Sequence, residues 1–112
     1  MTTSNFMTLA EQEDLVSIAI DETNERIKST LVDGKIYEYI LNQLIYIQAC
    51  IRDKSKDRSE LHNVNIGALA VREFDGVDET YSVALQNVFF IVSYMKRGLK
   101  VPVLDEQGNI RK

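Results

Sequence analysis

Residues 8–97 contain no proline; the only one in the chain is Pro102. A proline inside a helix deletes a backbone hydrogen bond and clashes with the preceding turn, so ninety residues without one carry no obligatory helix breaker. Glycine does the dividing instead. Gly34, Gly76 and Gly98 each follow a run of helical periodicity, where a left-handed residue ends a helix. Only Gly67 falls inside such a run.

The first segment opens on Thr8-Leu9-Ala10-Glu11, a pattern in which the two polar side chains satisfy each other's orphan amides. Leu15, Ile18, Ala19, Ile27 and Leu31 continue it as a sparse apolar stripe, and the polar run Asp21-Glu22-Thr23-Asn24 predicts a break or bend in its middle. The second segment, about 35–54, repeats Ile36, Ile40, Leu44, Ile47 and Ile51 at spacings of 4, 4, 3 and 4, with Tyr37, Leu41 and Cys50 beside them. So wide an apolar face predicts the central helix. Residues 53–58 are polar and read as a link, after which Ser59 or Asp57 caps a third helix carrying Leu61, Val64, Ala68, Val71 and Phe74. Gly67 costs about 0.8–1 kcal/mol against alanine there, which predicts close approach of another backbone. A fourth helix starts at Asp78 and runs to Met95 through Tyr81, Ala84, Leu85, Val88, Ile91 and Val92. Beyond it, Val101-Pro102-Val103 reads as extended and Glu106–Asn109 as a turn. The expected fold is all-α: one domain over 1–112 with its core in about 8–97, a small antiparallel bundle of about four helices with a short extended C-terminal tail.

Composition sets the class of job. At 112 residues, 45% apolar and 27% charged, the chain has the make-up of one soluble globular domain. The longest apolar run, Val88–Val92, is five residues, against about 20 for a membrane span. Met1–Asn5 holds no base and leads into no apolar run, and the lone Cys50 fits a reducing compartment, so the expected location is cytoplasmic. Seventeen acids against thirteen bases give −4, the wrong sign for nucleic acid. The acids cluster: six in residues 1–25 with no base, then Glu73, Asp75, Asp78 and Glu79 within seven residues, again with no base between them. Such runs are either solvated helix faces or a surface complementary to a basic partner.

Catalysis finds little support. The chain has no glycine-rich phosphate loop, no HExxH and no CxxC, and it has one histidine, His62, and one cysteine. Ser59 and His62 share a helix face but have no third orienting group, so no catalytic, metal or cofactor site is expected. Phe74, set among acids, reads either as a core residue or as an exposed anchor. Tyr37 and Tyr46 cannot both lie on the Ile36–Ile51 stripe, so at least one faces a groove or a partner, as interface tyrosines do.

The stretches Gln43–Ile47, Asp57–His62 and Gly67–Asp75, then Asp78, Ala84-Leu85 and Arg97–Val101, resemble the immunity proteins of bacterial type VI secretion that protect against an NAD(P)+ glycohydrolase effector. The resemblance covers about residues 43–101 and leaves 1–42 and the tail outside it. It implies a helical cytosolic protein without activity of its own, whose partner is the toxin domain of a cognate effector, with no nucleic acid and no membrane, and with room for a weak homodimer. A non-catalytic helical adaptor or regulator with an unrelated partner is the alternative. The expected toxin-binding residues are Glu73, Asp75, Asp78 and Glu79 with Phe74, and Arg58 and His62 nearby across the third helix.

Overall fold

Thr8 opens helix α1 (Leu9–Ser29) as its sequence pattern requires: the Glu11 amide donates to the Thr8 hydroxyl at 3.1 Å, and the Glu11 carboxylate accepts from the Thr8 amide at 2.9 Å. The computed structural model describes residues 6–30 and 34–103 of the chain. After α1 come α2 (Lys35–Arg52), a 3-10 turn (Ser59–Asn63), a single α-turn α3 (Ile66–Leu69), a π turn (Ala70–Phe74) and α4 (Glu79–Met95). The architecture is the expected small helical bundle.

Contacts between helix ends fix its topology. Arg52 at the end of α2 pairs with Glu13 at the start of α1, while Arg26 at the end of α1 pairs with Asp78 at the start of α4. Both α2 and α4 are therefore antiparallel to α1. The central helix is α1, which packs closely against both of its long neighbours. The second helix was expected there, because its apolar face is the wider; yet Ala19 and Thr23 are small, and small side chains let α1 approach two partners at once. The predicted break at Asp21–Asn24 does not occur: α1 is continuous, and its buried stripe is Gln12, Val16, Ala19 and Thr23, with Ile18 half exposed and Leu15 and Ile27 partly buried. In α2 the sequence stripe holds, with Ile40, Leu44, Ile47 and Ile51 buried together with Cys50.

The third helix is where expectation and structure part. Asp57 accepts from the Ser59 amide at 3.0 Å just ahead of a 3-10 turn, not an α-helix; the N-cap of that turn is Arg58, neither Asp57 nor Ser59. The backbone turns extended at Val64, and the Gln43 side chain takes over the Asn65 amide at 2.9 Å, so the helical phase is reset. The buried residues become Leu61, Ile66, Leu69, Ala70 and Phe74, whereas Ala68 and Val71 face out. Gly67 is buried, but a side chain presses on it, not a backbone: a methyl added there would sit 2.5 Å from Cδ2 and 2.6 Å from Cγ of Phe89. Gly76 and Gly98 end their helices at φ +79° and +69°, as predicted, whereas Gly34 has φ −97° and serves as the N-cap of α2. The tail is extended as expected: Phe6 and Pro102 form an antiparallel bridge, the Met7 amide donates to the Val101 carbonyl at 2.7 Å, and Val101 is buried. Leu31 and the predicted turn at 106–109 lie outside the described residues.

Candidate functional site

The acidic turn between α3 and α4 is built on an aromatic base. Ala70 supplies the pivot: its carbonyl accepts from the Asp75 amide at 2.9 Å, five residues on, and from the buried Ser82 hydroxyl at 3.3 Å. The wider π turn advances the phase and returns Phe74 to the interior. There its ring meets Tyr81 edge-on at 4.8 Å and stacks on Tyr37 at 5.8 Å. Phe74 therefore belongs to the core and is not an exposed anchor; the π turn spends it on holding the turn down. Of the two tyrosines whose placement the sequence left open, Tyr37 completes this cluster. Tyr46 instead donates its hydroxyl to the Asp57 carbonyl at 2.7 Å and fastens the link to α2.

Tyr81 is fully buried. The Thr23 hydroxyl gives its one hydrogen to the Ala19 carbonyl at 2.7 Å, so Tyr81 must donate in the 2.8 Å bond between the two. Burial above all pushes the Tyr81 phenol up to about 12. Over the ring face, 4.5 Å from its centroid, lies the Arg26 guanidinium. Arg26 grips both Asp78 oxygens, at 2.6 and 2.9 Å, and reaches the Glu22 carboxylate at 2.6 Å. These hydrogen bonds hold the Asp78 carboxyl below its ordinary value, and those to Asp78 contribute most to raising the Arg26 guanidinium above its own. Asp78 also accepts from the Tyr81 amide at 3.4 Å as the N-cap of α4.

The four acids are thus not equivalent. No base lies among them in sequence, but α1 brings Arg26 to Asp78, so that charge is neutralised in the fold. Glu73 touches its neighbour Arg72 at 3.2 Å with both side chains largely exposed. Asp75 is exposed beside Glu79, and a hydrogen-bonded contact with that carboxyl, reinforced by its negative charge, raises Asp75 above its usual range. Glu79 also accepts from the Gly76 amide. Exposed around this turn is an anionic rim of Glu73, Asp75 and Glu79, with Val71 on the π turn and Val77 after it also exposed. Acid beside exposed valine is a surface suited to a protein partner carrying bases around an apolar spot.

Arg58 and His62 do not join this rim. Arg58 donates to the Cys50 carbonyl at 2.9 Å and lies with Ile51, Met95 and Val101 at the other end of the bundle. His62 is exposed on the 3-10 turn. The expected proximity assumed a continuous third helix, and the break at Val64 removes it. Among the described residues, no three His, Cys, Asp or Glu side chains are placed to share a metal ion, and no helix is long and apolar enough to cross a membrane. Sequence reading missed Arg26, although the signal was present: Ala19, Thr23 and Arg26 continue the inner face of α1 at spacings of 4 and 3.

The family model Tsi6 matches residues 11–94, which reaches well into the N-terminal stretch that the sequence resemblance left out. A curated relative, Immune protein Tsi6 of Pseudomonas aeruginosa, is 43% identical over 68 residues, 58% of this chain and 72% of the relative. A chain in the solved structure of Tse6 in complex with Tsi6 superposes with a TM-score of 0.78 at 30% identity, over 82% of this chain and 97% of that one. The structure of Tsi6 from Pseudomonas aeruginosa matches with a TM-score of 0.69 at 28% identity, over 77% and 95%.

Proposed function

Because the chain belongs to the Tsi6 family, we propose that it is an immunity protein that binds the toxin domain of a cognate type VI effector in the cytoplasm and blocks it. The observation that carries this reading is the 43% identity to Immune protein Tsi6, joined to a fold shared with a chain of the Tse6–Tsi6 complex. The toxin is an NAD(P)+ glycohydrolase, as the sequence resemblance implies, and the chain inhibits by occluding the active site, without catalysis of its own.

The anionic rim supplies a physical reason. A pocket that admits an anionic dinucleotide presents bases and amide donors, and carboxylates on a rigid turn compete for the same donors. Glu73, Asp75 and Glu79 carry that interaction. Asp78 and Phe74 position them from below, through Arg26 and Tyr81. Arg58 and His62 sit outside this contact.

The test is enzymatic. Purified chain alone should leave NAD+ intact, and at near-equimolar ratio it should stop NAD+ consumption by the toxin domain encoded beside it. Inhibition that needs a large excess would overturn tight occlusion.

A further inference from the structure

We propose that the end of the bundle opposite the acidic rim carries a second site, one for a small amphipathic anion: a single acidic head group on an apolar body. A cavity of about 590 Å³ opens there between the start of α1, the ends of α2 and α4, and the extended tail. That volume is within the range of small-molecule sites, about 300–1,000 Å³. Met7, Leu9 and Met95 contribute apolar wall, and Lys54, Arg58 and Lys100 contribute charge.

Among the described residues none of the three cations is in an ion pair. Acids close in sequence to these residues have partners of their own: Glu11 accepts from the Thr8 amide, Glu13 holds Arg52, Asp53 accepts from the amide and the hydroxyl of Ser55, and Asp57 accepts from the Ser59 amide. The Lys100 ammonium rests over the Phe6 ring, 5.4 Å from its centroid. Arg58 spends one terminal nitrogen on the Cys50 carbonyl, while its Nε–H is buried without an acceptor. Three cations demand an anion, and the methionine and leucine side chains demand an apolar body behind it. Inorganic phosphate meets only the first demand and a neutral alcohol only the second.

The experiment titrates the full chain with octanoate, octanol and inorganic phosphate, following backbone amides by two-dimensional NMR. Octanoate should shift the amides of Lys54, Arg58 and Val101 saturably and bind about tenfold more tightly than octanol or phosphate, the value of one charge-assisted contact. The double variant Lys54→Gln/Lys100→Gln should lose about tenfold of that affinity at an unchanged melting temperature. Arg58→Gln should lose as much, but it also surrenders the Cys50 contact, so the lysine pair decides. Equal affinity for octanol, equal affinity for phosphate, indifference of octanoate to the lysine pair, or shifts centred on the acidic rim would each overturn the site.

Discussion

Thr23 marks the limit of reading a core by hydrophobicity. It is fully buried on the inner face of α1, where its hydroxyl serves both the Ala19 carbonyl and Tyr81, yet in sequence it stands in the run Asp21-Glu22-Thr23-Asn24 and looks like a break. Spacing was the better guide: Gln12, Val16, Ala19, Thr23 and Arg26 recur at 4, 3, 4 and 3, but only two of the five are apolar. Gly67 was legible for the opposite reason, since a mid-helix glycine is costly enough to need an explanation. The explanation is the Phe89 ring, whose root atoms cannot swing aside as a side-chain tip could. Gly67→Ala should therefore destabilise the fold: overpacking at about 1–3 kcal/mol exceeds the gain of about 0.8–1 kcal/mol in helix propensity. Chemical denaturation of Gly67→Ala, alone and with Phe89→Ala, reads this directly. A midpoint at or above that of the parent chain would mean that the ring yields freely; two losses that simply add would mean that the residues do not touch.

At the scale of elements, α2 and α4 were readable because their periodicity runs unbroken from cap to end, and the segment between them was not. No sequence rule announces that Gln43 will take the Asn65 amide, or that Ser82 will take the Ala70 carbonyl and stabilise a π turn. Both are long-range side-chain-to-backbone bonds, and each changes helical phase, so Val71 and Ala68 faced outward where a single α-helix would have buried them. The same phase change divides the candidate site into a rim and its support. Of the seven residues that the sequence picked out, Glu73, Asp75 and Glu79 are exposed, Asp78 is held by Arg26, Phe74 packs on Tyr81 and Tyr37, and Arg58 and His62 lie elsewhere. Reversing Glu73 and Asp75 together to lysine should leave the melting temperature nearly unchanged, because both are exposed and surface pairs contribute little. Affinity for the toxin domain should fall tens-fold or more, as reversal of a charged interface contact does. Surface plasmon resonance against the toxin domain separates the cases: unaltered affinity in the folded variant would move the contact to the acidic face of α1 around Glu11–Glu25.

For the molecule as a whole, one hub, with Tyr81 buried beneath a partly exposed Arg26–Asp78 pair, joins α1 to α4 and should govern how stability depends on pH at both extremes. At the acid end, Asp78 is held below its ordinary value of 3.8, chiefly by the Arg26 hydrogen bonds. The folded chain thus binds that proton less readily than the unfolded chain, so this stabilisation is complete above the unfolded value and fades as pH falls through the lowered one. At the alkaline end the sign reverses. Tyr81 is raised from 10.0 to about 12, first by burial, so the folded chain keeps a proton that the unfolded chain releases. Its contribution is complete below pH 10.0 and is lost as pH climbs through about 12. Tyr46, also lifted to about 12 and chiefly by desolvation, adds to the same limb. Thermal melts from pH 2 to 12.5 should therefore trace a plateau with a fall at each side. Tyr81→Phe should cost about 0.5–1.5 kcal/mol at neutral pH, the worth of one hydrogen bond, and make the alkaline fall shallower without removing the acid one. Asp78→Asn should do the converse: it keeps the cap, since asparagine caps a helix as well as aspartate, but flattens the acid limb because it has no carboxyl to titrate against Arg26. An alkaline fall equally steep in Tyr81→Phe would place the responsible proton outside the hub, and an acid limb surviving intact in Asp78→Asn would deny Arg26 and Asp78 their part in holding the two helices together.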